Sequence, residues 1–163
     1  MSAGSSCDID GQSGVAFADV DGTIYSAGQA LAWGSGVNDG DQKWTLQLNL
    51  TGYTGINIRW DYRSTSTGPT GAVFDYRINS GSWTRIEEVS LHNDSSFHTY
   101  EKELASITAI DNQPSVEFRL SGFSGGSSQG THRIDNLQIA AIPEPAVLSL
   151  VILFGIGSLV ARR

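Results

Sequence analysis

Cysteine is nearly absent from this chain. Cys7 is the only one among 163 residues, so no intrachain disulfide can form and no second thiolate is available for a metal site. The residues before it, Met-Ser-Ala-Gly-Ser-Ser, hold no apolar segment, so Cys7 reads as an incidental thiol and not as a point of lipid attachment. Lysine is scarce too, with two residues, and the net charge is −7. Nucleic acid calls for a basic patch, so this composition argues against a nucleic-acid partner. It suits solubility outside a cell and the company of divalent cations. His92, His98 and His132 stand in no metal-ligand spacing of the His-Glu-x-x-His kind. No Gly-x-Ser-x-Gly elbow is read, which leaves a hydrolase of that type unsupported. The Gly122–Gly130 stretch lacks the Lys-Ser/Thr of a phosphate cradle, and its glycines read as turn residues.

Short alternating runs are what the chain does have. Trp44, Leu46, Leu48 and Leu50 alternate with Lys43, Thr45, Gln47 and Asn49. Ile56, Ile58, Trp60 and Tyr62 alternate with Asn57, Arg59, Asp61 and Arg63. Period two with one wet face is the signature of antiparallel strands. The same pattern marks Ala72–Ile78, Trp83–Val89, Phe97–Leu104 and Val116–Ser121, with a hairpin turn at Asn79-Ser80-Gly81-Ser82. The apolar phase slips between Ile134 and Leu137, which predicts a bulge near Asp135-Asn136. One helical turn is expected within 105–111. Seven to nine such strands predict an all-β fold, an antiparallel two-sheet sandwich of jelly-roll type over residues 15–140, behind a flexible segment 1–14. Asp19-Val-Asp21-Gly22 and Asn38-Asp39-Gly40-Asp41 have the look of a calcium loop but lack its later glutamate, and read first as turns.

The C-terminal 21 residues differ from everything before them. Pro143-Glu144-Pro145 is followed by an uncharged apolar run, 146–161, and then by Arg162-Arg163. As a helix the run spans about 24 Å, short of the roughly 30 Å of a hydrocarbon core but sufficient with local thinning or snorkelling arginines. The basic end belongs on the cytoplasmic side, with the sandwich outside. The order of the three parts resembles the PEP-CTERM sorting signal of Gram-negative bacteria. The resemblance implies a sorting motif at Pro143, Glu144 and Pro145, a membrane-stop at Arg162 and Arg163, and recognition and cleavage by an exosortase, a membrane enzyme. It implies a single-pass inner-membrane precursor that ends at the cell surface or outside it. Residues 1–14 carry no signal peptide, so the expectation is a start upstream of Met1. The segment from Trp60 to Ile139 also resembles domains often found ahead of this tail. The likeness lies in Tyr62–Pro69, Ala109-Ile110-Asp111-Asn112, Phe118-Arg119-Leu120 and Arg133–Ile139, and it implies fold and class only.

The first functional reading is therefore an exported surface or matrix protein with no catalytic activity and no cofactor. The second is a module that binds extracellular polysaccharide, with a structural Ca²⁺. Sugars stack on exposed aromatic rings, and Trp33, Tyr53 and Trp83 lie at strand ends or loops where rings can be exposed. Trp44, Trp60 and Tyr62 fall on apolar faces and read as core. The third reading, a secreted hydrolase, needs two close carboxylates. Glu87-Glu88 and Glu101 with Glu103 are the acidic pairs on strands, and a solvated strand face explains them first.

Overall fold

Each alternating run becomes a pleated strand with its apolar side turned inward. In a computed structural model, residues 2–3, 7–13, 17–18, 24–25, 29–33, 43–127 and 130–144 are described. The strands are β1 (Ser2–Ala3), β2 (Cys7–Ser13), β3 (Phe17–Ala18), β4 (Ile24–Tyr25), β5 (Gln29–Trp33), β6 (Lys43–Leu48), β7 (Tyr53–Ser64), β8 (Gly71–Ile78), β9 (Thr84–Ser90), β10 (Phe97–Glu103), β11 (Val116–Ser124) and β12 (His132–Pro143). Sheet 1 runs β1-β6-β11-β8-β9 and sheet 2 runs β10-β7-β12-β5-β2, while β3 and β4 pair separately. From β5 onward the chain changes sheet at every connection except the β8–β9 hairpin, as in a jelly roll. The one helical element in the described part is a 3₁₀ turn, Thr108–Ile110, within the expected 105–111.

Two departures from the sequence reading concern the ends. Cys7–Ser13, expected to be loosely attached, pairs with β5. Ala140-Ala141-Ile142, which reads as a short linker, and Pro143 of the sorting motif belong to β12. Ile142 pairs with Thr54 and Pro143 with Tyr53, and the Glu144 amide donates to the Gly52 carbonyl at 2.8 Å. Pro145, the apolar run 146–161 and Arg162-Arg163 lie outside the described residues, as do Asp19–Gly22 and Asn38–Asp41.

The core lies between the sheets and is rich in rings. Trp44, Phe74, Phe118 and Leu120 come from sheet 1, and Ile56, Ile58, Trp60 and Tyr62 from sheet 2. Trp60 is the hub. It meets Trp44 edge to face at 5.5 Å, Phe74 at 5.3 Å, and stacks on Tyr100 at 4.0 Å. Such ring pairs add to the area that they bury. Where the edge strands β9 and β10 meet, Glu87 accepts hydrogen bonds from Tyr100 Oη and Lys102 Nζ. Burial works against the Glu87 carboxylate, but those two bonds outweigh it and hold the carboxyl below its ordinary range.

The phase slip of the last strand is a bulge, as expected. Register shifts between Asp135 and Gln138, and Asn136 takes φ 48°. Its Nδ2 donates to Asp61 Oδ2 at 2.7 Å, while Thr99 Oγ1 donates to Asp61 Oδ1 at 2.6 Å. A buried carboxylate on the outward side of β7 is thus satisfied by its two neighbour strands.

Of the glycines at 122–130, Gly122 and Gly125 take φ 61° and 76°, as turn residues do, while Gly126 and Gly130 serve close approach. A Cβ on Gly130 would lie 2.2 Å from the Thr67 carbonyl oxygen, and one on Gly126 would lie 2.7 Å from the carbonyl carbon of Gly68. The obstacle in both cases is backbone, which has little room to yield. Gly130→Ala is expected to lower the unfolding free energy by about 1–3 kcal/mol, the usual cost of overpacking. Urea titration reads this directly, and an unchanged midpoint would mean that the two loops separate freely.

Candidate functional site

The outer face of sheet 1 is polar, and among the described residues no element packs over it. Its side chains come from the odd positions of β6, β8 and β11, because the even ones fill the core. Antiparallel register sets Arg77 opposite Glu117 and Asp75 opposite Arg119. Arg77 donates through Nε and NH2 to the two oxygens of Glu117 at 3.0 and 2.7 Å. Arg119 donates through the same two atoms to Asp75 Oδ2 at 3.2 and 2.6 Å. Forked contacts of this kind fix a guanidinium plane as well as neutralising it.

Trp83 lies on this pair of ion pairs. The β8–β9 turn delivers it there: Asn79 and Ser80 take φ 49° and 60°, and the Gly81 amide donates to the Ile78 carbonyl at 2.9 Å. Two consecutive positive φ values are the mark of a type I′ hairpin, whose twist matches that of its strands. The indole sits with the Arg119 guanidinium carbon 4.1 Å from its ring centroid and that of Arg77 at 4.6 Å. Both arginines project from the same sheet face, so the indole rests on that face and its exposed part points outward. Trp83 itself is half-buried. At the other end of β8, a shallow depression is lined by Val73, Glu88, Gly122 and Ser124. The five residues from Val73 to Arg77 span roughly 13 Å of strand.

The other sequence candidates do not join this face. Tyr53 is 43% exposed but belongs to sheet 2. Trp33 ends β5, opposite His132 in register, and its side chain is not among those described. Trp44, Trp60 and Tyr62 are core, as read. Glu87 turns toward Tyr100 while its neighbour Glu88 pairs with Arg85 at 2.9 Å, and Glu101 accepts from Asn57 Nδ2 at 2.9 Å. Gly122-Phe123-Ser124-Gly125-Gly126 does spell Gly-x-Ser-x-Gly, a match that the sequence reading did not credit. Ser124 ends β11, however, and no helix follows it among the described residues, so the strand–helix elbow that exposes a nucleophile is not formed there.

The three histidines converge, which their spacing did not announce. His98 and His132 both lie against Tyr62, at 5.7 and 5.8 Å, and His92 stacks on His98 at 4.4 Å. Asp94 contacts His98 Nε2 at 3.0 Å, and this contact lowers the Asp94 carboxyl below its ordinary range. His132 is wholly buried between Tyr62 and Phe123, and burial alone pulls its imidazole down to about 3. Among the described residues no group of three His, Cys, Asp or Glu side chains is placed to hold a metal ion.

No family model matches the chain, and no curated protein matches it in sequence. Solved structures do match in shape. Part of an exo-beta-agarase superposes with a TM-score of 0.56 at 12% identity, over 85% of this chain and 23% of that one. A CBM4 structure gives 0.46 at 12% identity, over 82% of this chain and 91% of that one. A family 29 carbohydrate-binding module gives 0.47 at 13% identity, over 86% and 81%. The agarase match shows a shared β-sandwich fold, and this chain corresponds to less than a quarter of that protein's length.

Proposed function

We propose that this chain is an exported, non-catalytic sandwich that binds carbohydrate on the outer face of sheet 1. The observation that carries the reading is Trp83, a half-buried indole fixed on two guanidiniums at one end of an open polar face. A rigid ring costs little entropy when a sugar stacks on it. The polar groups around it supply donors and acceptors for hydroxyls, and the strand direction offers a track for an extended polymer. The presence of a sandwich of this shape within an exo-beta-agarase fits the same picture.

Residues 143–163 give the reading its place. Their resemblance to a PEP-CTERM signal supports export, transient anchoring through 146–161 and cleavage by an exosortase near Pro143–Pro145. A secreted species that lacks the residues after that motif is the expected product.

Affinity electrophoresis through gels that contain soluble polysaccharides tests the binding. Retardation of the native chain is expected, with at least a tenfold weaker apparent Kd for Trp83→Ala, a loss of about 1.4 kcal/mol. Identical migration of both proteins in every gel removes the carbohydrate reading and leaves the plain surface-protein reading in its place.

A further inference from the structure

We infer that the sheet 1 face selects uncharged polysaccharides and rejects those bearing carboxylates or sulfates. The inference rests on the carbohydrate reading above and narrows it. Arginine recognises anionic sugars through its fork of N–H donors. Here the Nε–NH2 edge of each guanidinium beneath Trp83 is already engaged, Arg77 by Glu117 and Arg119 by Asp75. The two carboxylates are the more deeply set partners, with 13% and 7% of their side chains exposed, against 28% and 24% for the arginines. Withdrawing an arginine to meet an anionic ligand would strand a half-desolvated carboxylate, which costs more than the new contact returns.

The rest of the face follows the same pattern. Arg85 is paired with Glu88, at the strand next to Asp75. Lys43, at the start of β6, is the remaining cation on this side of the sheet among the described residues, and it stands opposite Ser121, two pairs beyond Arg119. In addition, residues 1–42 carry six aspartates and no lysine or arginine. A polyanion approaching such a chain meets repulsion at a distance, and at contact it meets guanidiniums that are already paired with carboxylates. Arg77 and Arg119 are therefore positioning residues. They hold the indole flat and neutral, and the ligand that this suits presents the C–H face of a neutral sugar ring.

The test is a pair of titrations of the full chain against neutral and anionic polysaccharides, a soluble β-glucan and a galactan against alginate and a sulfated galactan. Binding to a neutral polymer at least tenfold tighter than to either anionic one is expected. Its affinity should change less than twofold between 50 and 500 mM NaCl, because no counterions are released. Glu117→Gln opens the Arg77 fork and should raise the ratio of anionic to neutral affinity by about tenfold at low salt, an effect that a purely structural role of Glu117 would not produce. Preference of the native chain for alginate or the sulfated polymer, with a steep salt dependence, overturns the inference and leaves carbohydrate binding standing. An unchanged ratio in Glu117→Gln also overturns it, because the pairing would then not be the cause. Binding to none of the four polymers overturns the carbohydrate reading and the inference with it.

Discussion

Trp60→Ala lowers the unfolding free energy by about 3–5 kcal/mol, the range for removing a large ring from a packed core. The expectation follows from where the ring sits. Trp60 is fully buried on β7, the strand between β10 and β12, and touches rings from both sheets: Trp44 and Phe74 across the core, Tyr100 beside it. Deleting it removes apolar contact from two sheets at once and leaves a cavity that none of them can collapse to fill. Trp60→Phe separates the contributions. The indole Nε1 is buried without a hydrogen-bond acceptor among the described residues. Phenylalanine therefore gives up volume but no hydrogen bond, and a loss of about 1–2 kcal/mol is expected for it. Guanidinium titrations of both variants decide. If Trp60→Ala costs no more than Trp60→Phe, the ring cluster is not what joins the sheets.

The second large effect is a dependence on pH set by His132. Its pKa is about 3 in the folded chain, because burial disfavours the charged imidazole, against about 6.5 when unfolded. Above pH 6.5 the residue is neutral in both states and contributes nothing. Below it the unfolded chain takes up a proton that the native chain refuses, so stability falls as pH falls, at about 1.4 kcal/mol per unit, down to about pH 3. The useful quantity is the difference between the native chain and His132→Gln, in which every contribution that the two proteins share cancels. That difference should shift by about 2 kcal/mol between pH 6.5 and pH 5, above the range in which Glu87 and Asp94 take up protons. Parallel stability curves for the two proteins would mean that the imidazole is charged, or reached by water, in the native state.

Much of the fold is legible in the alternation of single residues. Trp44, Leu46 and Leu48, then Ile56 to Tyr62, announce two strands, an inner face and a core, because burial repeats with the pleat. The bulge at Asp135–Gln138 is legible for the same reason, as a slip in that repeat. The site is legible only in part. Trp83 stands out as a ring beside a turn, but its supports are ordinary wet-face charges until register is known. Asp75 with Arg77, and Glu117 with Arg119, are opposite charges two apart on each strand. That is the one sequence signal that could have matched them, since an antiparallel pairing of two such strands crosses the charges. The convergence of His92, His98 and His132 on Tyr62 has no local signature, because it is made by three separate connections. The ends are less legible for a related reason. Small and polar residues in Cys7–Ser13, and Ala140-Ala141-Ile142, carry no clear alternation, yet a backbone beside an open strand pairs through its amides whatever side chains it bears.

The last strand has a mechanical consequence. β12 lies between β7 and β5, and its C-terminal end is fastened to β7 by residues 142–144. A pull applied at Glu144 across the strands would load the sheet at a strand end and open one rung after another. The first rungs, at Pro143 and Ile142, are set apart from the rest by the register shift between Ala140 and Ile142. Tension would peel those few residues at small force and then halt where Ala140 and Ile139 rejoin Asn57 and Ile58. The strand thus carries its own slack, a short length of backbone that is part of the sheet at rest and becomes a tether when drawn.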